Sequence, residues 1–139
     1  MKTKSKVITI FFIIVTGIIW WNVPTALINI KPSDVSKIEI FDGNTGTAIT
    51  ITEISEIEHI INNLNNVTLT KEKISLGYMG YSFKTTIYRS NGKAYRKFII
   101  NSNNTIRIDP FFYKDNLSSI DYAYIRELIK NKNNIYNEQ

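Results

Sequence analysis

"YSFKTTIYRSNGKAYRKFII" (residues 81–100) is the stretch that decides the fold class. Two runs rich in aromatic and β-branched residues flank Asn91-Gly92. Asn-Gly in that setting specifies a tight β-hairpin, because a type I′ turn needs positive φ at both central residues. A two-residue turn sets the register: Tyr88 faces Tyr95, Ile87 faces Arg96, Thr85 faces Phe98 and Phe83 faces Ile100. One face then carries Phe83, Ile87, Phe98 and Ile100 and belongs to a core. The other carries Lys84, Thr86, Tyr88, Tyr95 and Lys97.

The pattern extends on both sides. "SKIEIFD" alternates Ile38 and Ile40 with Lys37 and Glu39, a half-buried strand. "DGNTG" is turn chemistry, and "TAITIT" resumes the alternation, giving a second hairpin. "TEISEIEHIINNLNN" changes period: Ile54, Ile57, Ile61 and Leu64 recur at helical spacing, with Ile60 widening the stripe. Thr52 or Ser55 can cap this helix, and Glu53, Glu56 and Glu58 suit the positive end of its dipole. "VTLT" begins another strand, and "ISLGYMGY" reads as a glycine-bearing loop. "TIRID" and "FFY" read as one further strand, broken or bulged at Pro110. "SSIDYAYIRELIKN" is a second helix, with Ile120, Tyr124 and Leu128 in one row and Ile125 and Ile129 beside it. Ser118 and Asp121 suit its start.

This order predicts an α+β domain over residues 35–131: one antiparallel sheet of about five to six strands with two helices on one face. Residues 132–139 read as a polar tail. Through "EIEHIINNL", the Asn-Gly hairpin and "FFYKDNLSSIDYAYIRELI", the chain resembles the TATA-box-binding-protein-like fold over residues 34–130. It is similar there to uncharacterised small membrane-anchored or secreted proteins of Gram-positive bacteria. That resemblance implies a fold and no activity, since none of its motifs is functional.

The N-terminus raises a separate question. Lys2, Lys4 and Lys6 precede 15 residues without charge or acid, 7–21, which close on Trp20 and Trp21. Counting on to Ile28 gives 22 residues, enough for a transmembrane helix, which needs about 20. The lysines place residues 1–6 in the cytoplasm as a basic tail, and the tryptophans belong at the membrane interface. This predicts a signal-anchor over residues 7–28, a tether over 29–34, and a single-pass membrane protein with its domain outside. A cleaved secretion signal is the alternative, since its apolar core is about 7 to 15 residues. Small-x-small cleavage sites are poor: a site after Ala26 puts Pro24 where a small residue is wanted.

Composition removes several function classes. The chain has no cysteine, which excludes disulfides, thiolate metal sites and cysteine nucleophiles. Of its net charge of +5, three units are the anchor lysines, so the domain carries little of the basic excess that nucleic-acid binding requires. His59 is the sole histidine and reads as a solvated helix residue. Asp42 and Asn44 lack the further acids of a calcium loop and read as a plain turn. No cofactor or metal site is expected.

Two candidate binding surfaces remain. Residues 73–108 contain no acid, and Lys84 and Lys97 flank the Tyr88–Tyr95 pair, a surface suited to an anion or a partner. Tyr78, Met79 and Tyr81 sit in the "LGYMGY" loop with Gly77 and Gly80, which is a binding device or a lid over the sheet. The sequence therefore predicts an extracytoplasmic, membrane-tethered interaction module for a protein, a peptide or an envelope anion (a lipid headgroup or wall polymer), without catalysis. The alternative is a cell-envelope enzyme whose acids converge only in the fold.

Overall fold

A computed structural model describes residues 2–137, and the side chains of 6–134. The N-terminal methionine, the side chains of Lys2 and Lys4, and the last two residues of the expected polar tail lie outside the described residues. In order, the elements are α1 (Lys2–Asn22), β1 (Thr25–Ala26), a 3-10 turn (Pro32–Asp34), β2 (Val35–Asp42), β3 (Thr47–Ile51) and α2 (Ile54–Asn65). There follow β4 (Thr68–Ile74), β5 (Phe83–Arg89), β6 (Ala94–Ile100), β7 (Thr105–Ile108), β8 (Phe111–Asp115) and α3 (Tyr122–Asn137). All eight strands form one antiparallel sheet in the order β1-β4-β8-β7-β6-β5-β2-β3.

The sheet is wider than the five to six strands expected, for two local reasons. Asp109-Pro110 does not break a single strand but forms the turn between β7 and β8, which pair from Thr105–Lys114 to Ile108–Phe111. Thr25 and Ala26, counted by sequence within a spanning helix, pair with Leu69 and Thr68 instead.

That second point overturns the membrane anchor. The helix ends at Asn22, and no helix among the described residues is long and apolar enough to cross a membrane. The uncharged run of 15 residues makes about 22 Å of helix at ~1.5 Å per residue. A bilayer core is about 30 Å thick. The residues that would have completed the span belong to the domain: Leu27 and Ile28 are 1% and 3% exposed. The expected tether is likewise part of the fold. Leu27 N donates to Val67 O, Asn65 brackets Ile30 with two hydrogen bonds, and Tyr95 Oη brackets Asn29 with two more. Burial begins abruptly at Leu27, after exposed residues at 22–26. Apolar residues 7–20 of α1 are largely exposed, and its contact with the domain is at its C-terminal end. There Trp20 and Trp21 pack edge-on against Phe111, and Lys71 Nζ lies 4.1 Å over the Trp20 ring.

The core lies between one face of the sheet and α2 with α3. Ile57, Ile60, Ile61 and Leu64 of α2 and Ile125 and Ile129 of α3 meet Ile38, Ile40, Phe83, Ile87 and Ile100. Ile54 falls outside the stripe at 72% exposed. The N-cap of α2 is Glu53, one residue after Thr52 and two before Ser55, and its side chain makes no capping bond. Asp121 caps α3 through Tyr124 N at 3.2 Å. α2 is linked to α3 by Glu56–Lys132 and to the segment that leads into α3 by His59–Asp121 and Asn63–Ser119.

The central hairpin keeps the predicted register over 83–87, with Phe83–Ile100, Thr85–Phe98 and Ile87–Arg96 opposed. It departs beyond Ile87, where Tyr88 pairs with Ala94 rather than Tyr95. The turn explains this. Gly92 has φ +79° but Asn91 does not have positive φ, so the turn is not type I′. Gly92 N donates to Arg89 O and Arg89 N to Lys93 O, the pattern of a three-residue loop ending in left-handed glycine. The extra residue is absorbed as a bulge that turns Tyr95 toward the helix side of the sheet.

Candidate functional site

The sheet face opposite the helices carries Lys37, Glu39 and Phe41 of β2, Lys84, Thr86 and Tyr88 of β5, and Lys97 of β6. It is buried in one place. Ile99, Arg107 and Phe112 form a cross-strand row on β6, β7 and β8, and are 8%, 8% and 4% exposed. The cover is the 75–82 loop, "SLGYMGYS".

The loop is held by identifiable contacts at both ends and at its centre. It leaves β4 through a turn in which Tyr78 N donates to Ser75 O, with Gly77 at φ +79° where that turn requires glycine. Ser75 Oγ donates to Asp109 Oδ1 at 2.7 Å, and Ser75 N to Pro110 O. Arg107 Nη1 donates to Tyr78 O at 3.0 Å and Gly80 O at 3.1 Å, while its Nε lies 3.4 Å from Asp109 Oδ1. The Tyr78 ring stands edge-on to Phe112 at 5.0 Å. At the far end Gly43 N donates to Ser82 O at 2.7 Å. A Cβ on Gly43 would collide with the Tyr81 backbone oxygen and lie 2.7 Å from the Tyr81 ring. Leu76 and Met79 are left 77% and 87% exposed.

On either side of Tyr81 the face is open. One groove, about 560 Å³, runs over β2 and β3 past Phe41, Ala48, Thr50 and Lys84. The other, about 570 Å³, runs between the loop and the β6–β7 turn past Asn44, Asn101, Ser102 and Thr105.

The four residues of the predicted anion surface are not brought together. Lys84, Tyr88 and Lys97 lie on the open face, while Tyr95 packs against the core with its hydroxyl on Asn29 and the Arg89 guanidinium 4.8 Å from its ring. Tyr88 Oη donates to Glu39 Oε2 at 2.8 Å, and Lys37 Nζ pairs with Glu39 Oε1 at 2.6 Å. The Lys37 bond, then that of Tyr88, hold the Glu39 carboxyl below its ordinary value. The same bonds raise Lys37 and Tyr88 above theirs. An ionised Glu39 therefore sits inside the surface expected to suit an anion. Tyr78, Met79 and Tyr81, by contrast, do share the loop that shapes the face. Sequence reasoning missed Arg107 and Gly43. The alternation in "TIRID" does place Arg107 opposite the Ile106–Ile108 face, a signal that was available.

The buried carboxylates are structural. Asp42 accepts from Asn44 N, Asn44 Nδ2 and Thr45 Oγ1 within its turn. Asp115, 1% exposed, accepts from Leu117 N, Ser119 N and Ser119 Oγ, shaping the link to α3. Burial pushes the Asp115 carboxyl up, but these three hydrogen bonds together hold it below its ordinary value. His59 stacks on Tyr124 with ring centres 3.8 Å apart, and its Nε2 lies 2.9 Å from Asp121 Oδ2. Among the described residues no group of three His, Asp or Glu side chains could hold a metal ion.

No family model matches the chain, and neither a curated protein nor a solved structure matches it.

Proposed function

We propose that this chain is a non-catalytic binding module whose ligand face is the uncovered face of its sheet, centred on the 75–82 loop. One observation carries this reading. A 92%-buried arginine holds two loop carbonyls, fixing a loop whose outward side chains, Leu76 and Met79, are apolar and uncovered. Rigidly presented apolar side chains beside open grooves suit a protein or peptide partner. A free anion is less well served, because Glu39 offsets the cations nearest Tyr88.

The enzyme alternative lacks a comparable support. Asp42 and Asp115 lie on β2 and β8, four strand spacings apart along the sheet, or about 19 Å at ~4.8 Å each. Carboxylates that share a reaction stand within about 10 Å. Both are already saturated by turn hydrogen bonds.

The test is a photo-crosslinking side chain placed at Met79, at Thr86 or at Glu127 on the helix side, in the full chain in its native cells. Discrete adducts from Met79 and Thr86, with none from Glu127, are expected. Adducts from Glu127 alone would move the ligand face to the helices and end this reading.

A further inference from the structure

We propose that the groove between the 75–82 loop and the β6–β7 turn binds a neutral oligosaccharide. This site goes beyond the protein-binding reading and does not depend on it.

The two grooves beside Tyr81 differ in chemistry. The one over β2 and β3 is walled by Phe41 and Ala48, with Glu39 and Lys84 on its rim. The other is walled mainly by amides, hydroxyls and aromatic rings. Its volume of about 570 Å³ falls within the usual range for small-molecule sites, about 300–1,000 Å³. Among the described residues, its charges are Glu72 and Lys73, which are opposite in sign and adjoin where β4 bulges between Lys71 and Lys73. A groove rich in hydrogen-bonding groups and without net charge selects neither an ion nor an apolar side chain. It suits an uncharged ligand that carries many hydroxyls.

Two aromatic rings stand at fixed places on its loop side. Tyr78, 54% exposed, stands edge-on to Phe112, and its ring lies 3.3 Å from where a Cβ on Gly80 would be. Tyr81 packs beside Phe41 with ring centres 6.1 Å apart. Arg107 holds the backbone between them through Tyr78 O and Gly80 O. Rings held in advance bind with little further ordering cost. A sugar ring presents C–H groups that are attracted to the electron-rich face of an aromatic ring, while its hydroxyls donate and accept around its rim.

The groove also has unspent polar atoms to meet those hydroxyls. Among the described residues, neither tyrosine hydroxyl has a hydrogen-bond partner, and neither has the Glu72 carboxylate. Lys73 Nζ contacts the Phe112 ring, at 5.1 Å. Asn101 Oδ1 accepts from Ser82 N at 3.4 Å, which fixes Nδ2 as the donor, and that Nδ2 is buried without a partner. Native structures pair nearly all such groups. By turning outward, the Asn101 amide exchanges one long bond for an acceptor on the sugar. The Ser102 and Thr105 hydroxyls, by contrast, already donate to Asn104 Oδ1 at 2.9 Å each.

The test titrates isotopically labelled full chain with three neutral tetrasaccharides, chitotetraose, cellotetraose and maltotetraose, and with the anionic tetragalacturonate. At least one neutral sugar is expected to bind at about 1 mM or tighter and to shift the amides of residues 78–82 and 101–105, with the Asn101 side-chain amide. Tyr78→Ala should weaken that binding at least tenfold, and Tyr78→Phe, which keeps the ring, only a few-fold. No shift from any neutral sugar at about 10 mM overturns the inference. Shifts confined to the groove over β2 and β3 or to the helix side overturn it too, as does equal binding to a folded Tyr78→Ala variant. Tetragalacturonate binding more tightly than all three neutral sugars would show that charge is read instead, and overturns it as well. The titration of the parent chain decides the matter even if the variants fail to fold.

Discussion

Replacing Arg107 by Met removes the group that fixes the 75–82 loop while keeping most of its apolar stem. Two charge-assisted hydrogen bonds disappear, to Tyr78 O at 3.0 Å and Gly80 O at 3.1 Å. Bonds of this type contribute about 1.5–3 kcal/mol each, a gross loss of roughly 3–6 kcal/mol. The loop is at the surface, so water can reach the freed carbonyls and recover about half. The expected net cost is about 1.5–3 kcal/mol, or a Tm drop of roughly 6–20 °C for a domain of this size. Arg107→Lys keeps the charge but not the paired geometry, and should recover less than half of the loss. Thermal melting gives the magnitude. Hydrogen exchange locates it: amides of residues 78–82 should exchange much faster, while Ile60, Ile61 and Leu64 change only as far as global stability does. A variant that melts within about 2 °C of the parent, with unchanged loop exchange, would refute the idea that Arg107 builds this face.

Other consequences follow from named contacts. Gly43→Ala drives a methyl into the backbone oxygen and ring of Tyr81 and should cost about 1–3 kcal/mol by calorimetry, with chemical shifts moving at Tyr81 and Ser82. Because the Asp115 carboxyl is held below its ordinary value, its contribution is present above the unfolded pKa of about 3.9 and fades as pH falls through the lower folded value. Asp115→Asn should therefore lower stability at pH 7 by about 1–3 kcal/mol and flatten the decline between pH 4 and lower pH, read by melts across that range. Deleting residues 1–24 should leave a cooperatively folded domain, costing no more than about 1–2 kcal/mol from the lost Trp20 and Trp21 contacts. Leu27→Ala should cost more, about 2–5 kcal/mol, and denaturant titration separates the two.

What could be read from the sequence was what local periodicity controls. Phe83, Ile87, Phe98 and Ile100 lie in the core because alternation forces every second residue to one face, and Ile57, Ile61 and Leu64 follow from helical spacing. What could not be read depends on contacts between distant segments. Leu27 and Ile28 look like membrane residues in a window of the sequence, and only pairing with β4 shows them to be core. Tyr88 and Tyr95 look like neighbours until one extra loop residue at Gly92 bulges the strand and turns Tyr95 away. The loop residues Tyr78 and Tyr81 were legible as candidates from their glycines. For their anchor Arg107 the alternation in "TIRID" gives the face but not the role, because its partners are backbone carbonyls 27 and 29 residues away and leave no mark in composition.

The most direct test of the open face is a lysine acetylation footprint, taken on the intact native cells and on the purified protein. Lys84 and Lys97 lie on that face, whereas Lys31 and Lys93 lie off it, in the segment before β2 and in the β5–β6 turn. All four are exposed in the free chain. The account predicts that Lys84 and Lys97 are protected in cells while Lys31 and Lys93 react equally in both. Equal labelling of Lys84 and Lys97 in cells and in isolation would contradict it.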